Sequence, residues 1–351
     1  MELPSGSSPV VRTPPPDLHD ADVVAAVAGG WYVSAQTAAY VPEGGGSHHW
    51  QLTDAAGQPV FVTVDDLDDK DWMADNREAV FDGLRRALTS AASLRETANL
   101  EFVVAPIRNN DGEVVQRLGS RYALAVYPYV TGESFPFGRH ADPNRRQAVL
   151  DMLVRLHRHP TDIGGGDRPP TRPPDFGGRR VLALALDHPD EPWGSGPYAD
   201  GTRTLVAQHR SALAELVQGF DRLVEVTASS PAELVITHGE PHAGNVMRVD
   251  NRFVLIDWDT VAMGQPERDL WLVISDQRDR SGYEAATGRP VDPNALVLYR
   301  LRWYLDDVAS AVRMFRQPHR RTEDTERWWA ELAPRLQELP EWQKTLAGLS
   351  I

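Results

Sequence analysis

Strand-like and helix-like segments are segregated along this chain, and that limits the folds open to it. Short extended runs come first: "TAAYVP", the loop Glu43-Gly44-Gly45-Gly46-Ser47, "HHWQLTD", a turn at "AAGQ", then "VFVTVDDL". They read as a β-meander with a glycine-rich first turn. The spacing of Val80, Leu84, Leu88 and Leu94 predicts a long helix over 75–99. Two strands are expected next, near "EFVVAPI" and "RYALAVYPYV", separated by the turn "NNDGE". After Gly132 the periodicity turns helical, over 142–158, 176–186, 200–227, 293–316 and 322–347, with Pro334 and Pro340 interrupting the last. An order β-β-β-α-β-β followed by helices predicts an α+β fold, a small mixed β lobe with one long helix joined to a larger helical lobe.

Other boundaries follow from composition. Residues 1–16 are rich in Ser and Pro and read as a disordered arm. Residues 17–29 have helical spacing of Val23, Val24 and Val27, with Gly29-Gly30 as a stop. The lobes are expected at 17–128 and 129–351, with "GGGDRPPTRPP" at 164–174 linking helices.

Several function classes are excluded early. The 351 residues carry a net charge of −14, which opposes a nucleic-acid footprint of clustered Lys and Arg and suits a cationic substrate. There is no cysteine, so disulfides, zinc thiolate sites and Cys nucleophiles are absent. No basic start with an apolar run marks a signal peptide, and no apolar segment is long enough to span a bilayer. A cytoplasmic protein with no membrane partner is expected, of undetermined oligomeric state. Lys70 and Lys344 are the only lysines, so any role usually filled by lysine has two candidates.

The chemistry concentrates in "VITHGEPHAGN" (235–245) and "VLIDWD" (254–259). An apolar strand ends in a polar loop holding His238, Glu240, His242 and Asn245, and a tight hairpin then returns Asp257 to the same edge. Asn245 and Asp257 offer hard oxygen ligands suited to Mg²⁺, which takes one or two carboxylates plus substrate phosphates. Glu240 is left as a candidate base. "HGEPH" superficially suggests zinc, but the spacing is not H-E-x-x-H on a helix and a proline intervenes.

The pattern H-G-[D/E]-x-x-x-x-N followed by hydrophobic-I-D-W resembles the aminoglycoside phosphotransferase and choline kinase-like family, which has a bilobal protein kinase-like fold. "GQPERDLW" (264–271), "YPYVTGESF" (127–135) and "RLHRHP" (155–160) resemble further segments of that family. "HAGNV" and "IDWD" look closest to its spectinomycin phosphotransferase-like members. The resemblance spans about residues 35–275 and is specific only as a combination.

That resemblance implies transfer of the γ-phosphate of ATP or GTP to a hydroxyl of a small molecule. Asp257 would hold Mg²⁺ against the phosphates, Asn245 a second ion, and Glu240 would accept the hydroxyl proton. Backbone groups of Gly44, Gly45, Gly46 and Ser47 would cover the phosphates, and those around Tyr127 and Tyr129 would read the base. His238 and Asp269 would brace the loop. Asp259 would bind a metal or a substrate amine, or cap the next turn. Asp306 and Asp307, near Trp303, Tyr304, Trp328 and Trp329, are candidates for an acceptor wall. The acceptor is expected to be an antibiotic, whose recognition an added phosphate would block. A metabolic kinase and a nucleotide-binding pseudokinase are the alternatives.

Two departures from the family stand out. Glu240 replaces the usual aspartate, one carboxylate for another. On the strand "PVFVTVDDL", Thr63 or Val64 stands where the family carries a phosphate-gripping lysine. Lys70 is expected at the surface and the run 65–69 as a solvated acidic loop, leaving the glycine-rich loop and Mg²⁺ to grip the phosphates; the alternatives are Lys70 folding back from the strand's exit, His48-His49 or an arginine as the grip, and a cation-binding role for 65–69.

Overall fold

The computed structural model describes residues 13–31, 33–70, 72–163, 168–229 and 233–349. Most of the expected arm and the start of the 164–174 linker lie outside the described residues. The chain opens with α1 (Asp20–Trp31), then β1 (Ala35–Val41), β2 (His48–Asp54), β3 (Pro59–Asp66), α2 (Arg77–Glu96), β4 (Gln116–Leu118) and β5 (Tyr122–Pro128). The five strands pair antiparallel in the order β1-β2-β3-β5-β4.

Paired residues of a ladder share a face, and successive residues alternate. Trp50, Val62 and Val126 therefore stand on one side, where they are buried with Val23, Val27 and Trp31 of α1. The opposite side carries His49, Phe61, Thr63, Asp65, Ala125 and Tyr127. This second face is the more polar one.

Two local expectations are corrected here. Gly29 and Gly30 do not stop α1, which continues to Trp31, whose indole N–H donates to the Ile107 carbonyl at 2.7 Å. A Cβ on Gly30 would stand 2.6 Å from Gln116 Oε1, so that glycine serves close packing. "EFVVAPI" forms no strand, only a bridge between Val103 and Leu255, and Pro106 has no N–H to extend a ladder. The partner of β5 is β4 instead. The long helix does form, with the Asn76 side chain accepting from the Ala79 N–H as its N-cap.

The rest is mainly helical: β6 (Glu133–Ser134), α3 (Pro143–Arg158), α4 (Arg179–Asp187), α5 (Ala199–Gln208) and α6 (Arg210–Ser229) precede the motif strands. These are β7 (Val235–Thr237), β8 (Val246–Val249), β9 (Arg252–Leu255) and β10 (Ala262–Gly264). Then come α7 (Glu267–Val273), α8 (Gln277–Thr287), α9 (Pro293–Arg316), α10 (Glu323–Gln337) and α11 (Leu339–Ala347). The helix expected over 200–227 is broken at His209, whose ring bonds the Leu205 carbonyl. Pro334 is accommodated within α10, and Pro340 sits in the first turn of α11, where its missing N–H costs nothing.

Packing divides the chain into two compact units, one reaching to Arg172 and including Leu234–Pro290, the other comprising Pro173–Glu233 and the residues from Val291 on. The first holds the sheet and the whole motif. The second has its own core, with Leu213, Phe220, Leu305, Val308 and Phe315 fully buried. Among the described residues no helix is long and apolar enough to cross a membrane.

Candidate active site

The motif loop is fixed from behind by one carboxylate. Asp269, in α7 and fully buried, accepts from the backbone N–H of His238 at 2.9 Å and of Gly239 at 2.6 Å. The His157 ring, also buried, bonds it through Nε2 at 3.0 Å and is held at Nδ1 by the Tyr283 hydroxyl at 2.8 Å. Burial would raise the Asp269 pKa, but the His157 hydrogen bond and charge, with Arg268, outweigh it and hold the carboxyl below its ordinary range.

Gly239 has a φ of +102°, and a Cβ there would meet the Arg268 guanidinium at 2.4 Å, so only glycine fits. Arg268 in turn donates to Thr237 Oγ1 at 2.7 Å and to the Thr260 carbonyl at 2.8 Å. His238 is buried and neutral, because burial lowers its pKa. Its Nε2–H donates to the Ile256 carbonyl at 2.9 Å, and its Nδ1 accepts the Glu240 N–H at 3.2 Å. His242 is likewise buried, edge-on to Phe137, with burial pushing its pKa down to about 3.

The front of the loop is built from the hairpin. β8 and β9 pair across the turn at Asp250-Asn251, and β7 pairs with β10. Asn245 ends a short 3₁₀ turn, and its amide N–H donates to the Glu240 carbonyl at 3.0 Å. That bond orients the amide and leaves its oxygen with no donor among the described residues. Glu240 is half-buried. Asp257 has left-handed backbone, φ +64°, a strained state for a non-glycine residue.

Asp257 is exposed to solvent yet surrounded by protein, as in a concavity. Burial, then Asp259 and Glu240, raise its pKa well above the carboxylate range, with Lys70 opposing them. Between the two acids, Trp258 is fully buried, its Nε1 donating to the Leu255 carbonyl at 2.9 Å, its ring 4.5 Å from that of His238.

Lys70 corrects the expectation of a surface residue. It is 2% exposed, with Nζ 2.7 Å from Asp259 Oδ2 and 2.9 Å from Asp65 Oδ1. Burial alone would neutralise an ammonium, but Asp259 and Asp65 hold it charged, and Lys70 in turn keeps Asp259 ionised. The run 65–69 is likewise more than a solvated loop. Asp65 and Asp66 are buried on opposite faces of β3, and Asp66 takes a two-pronged bond from Arg121 at 2.9 and 2.6 Å. Asp68 does stay exposed, paired with Arg77.

The glycine-rich loop joins β1 to β2. Gly44, Gly45 and Gly46 are exposed, whereas Ser47 is buried and donates to Asp65 Oδ1 at 2.6 Å. His48 faces the α1 side and meets the Tyr40 hydroxyl at 3.1 Å. His49 lies on the other face, stacked on Phe61 and beneath Gly44, and burial pushes its pKa down to about 4. Tyr127 stands on that face opposite Phe61, while Tyr129 is exposed beyond the strand.

Asp306 and Asp307 belong to the second unit. Asp306 accepts from the Gly177 N–H and pairs with Arg302 at 3.4 Å. Asp307 pairs with Arg335 at 2.6 Å, and burial raises its pKa to about 7. Trp328 and Trp329 pack on the core of that unit, and Tyr304 is buried within it.

An antiparallel sheet lobe and a helical part, with a braced polar loop and an acid-bearing hairpin beside it, define a kinase-like phosphotransferase. Residues 41–304 match the phosphotransferase enzyme family (APH), and the chain belongs to it. It is a small-molecule phosphotransferase. Protein StrN of Streptomyces griseus is 27% identical over 280 residues, 76% of this chain and 81% of StrN. Among solved structures, spectinomycin phosphotransferase APH(9)-Ia in complex with ADP and spectinomycin superposes with a TM-score of 0.65 at 14% identity, covering 93% of this chain and 99% of that one. A thermostable mutant of aminoglycoside phosphotransferase APH(4)-Ia, with AMP-PNP and hygromycin B, gives 0.51 at 14% identity, covering 90% and 96%. At such identities the likeness is one of fold.

Proposed function

We propose that the chain transfers the γ-phosphoryl group of ATP or GTP to a hydroxyl of a small antibiotic, of the aminocyclitol, aminoglycoside or nucleoside kind, and so confers resistance. The observation that carries the reading is the state of Asp257. A strained carboxylate crowded by Asp259 and Glu240, with its pKa raised by burial and by them, is a site short of positive charge. Together with the Asn245 amide oxygen it would form a hard oxygen set of the kind that suits Mg²⁺ when phosphate oxygens complete the shell.

Asn245 and Asp257 would hold Mg²⁺, which when bound neutralises charge on the phosphates. Glu240 accepts the proton of the attacking hydroxyl while the hydroxyl oxygen bonds to the γ-phosphorus and the bond from that phosphorus to the β,γ-bridging oxygen breaks, releasing nucleoside diphosphate. In a loose transition state that proton moves late, so a glutamate arm serves as well as an aspartate. Backbone N–H groups of Gly44–Gly46 cover the phosphates, and the backbone around Tyr127 and Tyr129 reads the base. The enzyme works in the cytoplasm, where nucleoside triphosphates are supplied. Its acidic balance suits a cationic acceptor, and relatives of the same fold bound to spectinomycin and hygromycin B support an antibiotic of that class.

The test is nucleotide turnover with Mg²⁺ across aminocyclitols, aminoglycosides, nucleosides, sugars and amino alcohols, alongside expression in a sensitive host. Acceptor-dependent turnover with a raised inhibitory concentration for the same compound is expected. Turnover confined to sugars or amino alcohols would overturn the antibiotic assignment, and nucleotide binding with no turnover would make the chain a pseudokinase.

A further inference from the structure

The two lysines of the chain have opposite fates. Lys344 is exposed on α11 and pairs with Glu341. Lys70 leaves the end of β3 and turns back, so that its ammonium is withdrawn from water between Asp65 and Asp259. An ammonium has three N–H donors. Two are used by those carboxylates, and among the described residues no acceptor takes the third; the Trp72 ring lies 5.7 Å from the ammonium.

The position of this donor is specific. Asp65 is on the sheet face that carries His49 and Thr63, and it also accepts the Ser47 hydroxyl at the end of the glycine-rich loop. Asp259 is two residues from Asp257. Lys70 therefore stands one carboxylate away from the loop that would cover the phosphates and one from the acid loop, and its charge is felt at both His49 and Asp257. Asp65 and Asp259 thus link this ammonium, the one lysine of the first unit, to both ends of the stretch that a polyphosphate would cover between Ser47 and Asp257. We infer that Lys70, reaching back from the β3–α2 connection, donates its third N–H to a phosphate oxygen of the nucleotide and so replaces the cation that Thr63 cannot supply. The two carboxylates fix the ammonium in place before the nucleotide arrives. This inference rests on the phosphotransferase reading of the site.

The experiment compares ADP with adenosine, and GDP with guanosine, by titration calorimetry with Mg²⁺ on the wild type and on Lys70→Met. Loss of one charge-assisted hydrogen bond should weaken the diphosphate about 10–100-fold while leaving the nucleoside nearly unchanged, and Lys70→Arg should restore part of the loss. Because Lys70→Met leaves two carboxylates without their cation, Lys70→Met/Asp65→Asn is measured in parallel as the better-folded background. Equal losses for diphosphate and nucleoside would show a structural strut and overturn the inference. Unchanged diphosphate affinity would overturn it as well. A wild type that binds none of the four ligands overturns the phosphotransferase reading along with it, whereas a wild type that turns over nucleotide beside an unaffected Lys70→Met overturns this inference alone.

Discussion

Asp269 and Asp257 are carboxylates set against the same loop, one behind it and one in front, and the chain treats them oppositely. Asp269 is dry and fully engaged by two backbone N–H groups and a histidine, and its pKa lies below the ordinary range. Asp257 reaches solvent, has strained backbone and like-charged neighbours, and its pKa lies well above that range. The first arrangement is complete as it stands. Under the proposed reading the second gains its missing charge from a ligand, which would assign rigidity and reactivity to different sides of one loop.

If that contrast is right, the two acids respond differently to removal. Asp269→Ala leaves two buried N–H groups and His157 without their acceptor and should destabilise the fold by about 3–5 kcal/mol, read as a fall in Tm. Asp257→Asn should lower kcat about 10³-fold, roughly 4 kcal/mol of barrier, while leaving Tm unchanged or higher in the absence of metal. A Tm loss at Asp257 equal to that at Asp269 would erase the distinction. Glu240→Ala should lower kcat about 10²-fold, with Glu240→Asp keeping a measurable fraction. Parent-like turnover in Glu240→Ala would remove it from the role of base.

The smallest effect concerns pH, where the two sides have opposite sign. A carboxyl with a depressed native pKa stabilises the fold above its unfolded value, and that contribution is lost as pH falls through the native one; this is Asp269. A carboxyl with a raised native pKa lowers stability as pH climbs from the ordinary carboxylate range towards the raised value; this is Asp257. Metal-free protein should therefore lose a few degrees of Tm over that upper window, and Mg²⁺ should recover them there but not at acid pH. Asp257→Asn should flatten the upper slope. An identical Mg²⁺ effect in that variant would place the ion elsewhere.

Local patterns made the α+β order and the motif hairpin readable from sequence. Turn residues at 250–251, alternating strands and a polar loop after an apolar run are short-range signals, and the hairpin lies where they place it. What escaped depends on partners far along the chain. Lys70 looks like a surface residue until it is seen against Asp259, 189 positions away, and Asp269 meets His157 across 112. Gly30 reads as a stop because its neighbour Gln116 lies in another element. A signal for Lys70 did exist: it is one of two lysines in a chain that otherwise uses arginine, placed just after two acids on a strand.

Trp258 has a consequence for how the site responds as a whole. Its indole is locked in the interior, tethered to Leu255 and lying against His238 and Phe102, so Asp257 and Asp259 leave one fixed anchor on its two sides. That anchor sets the spacing of the acid open to solvent and the acid that grips the ammonium, so both are held in place by the interior rather than by each other.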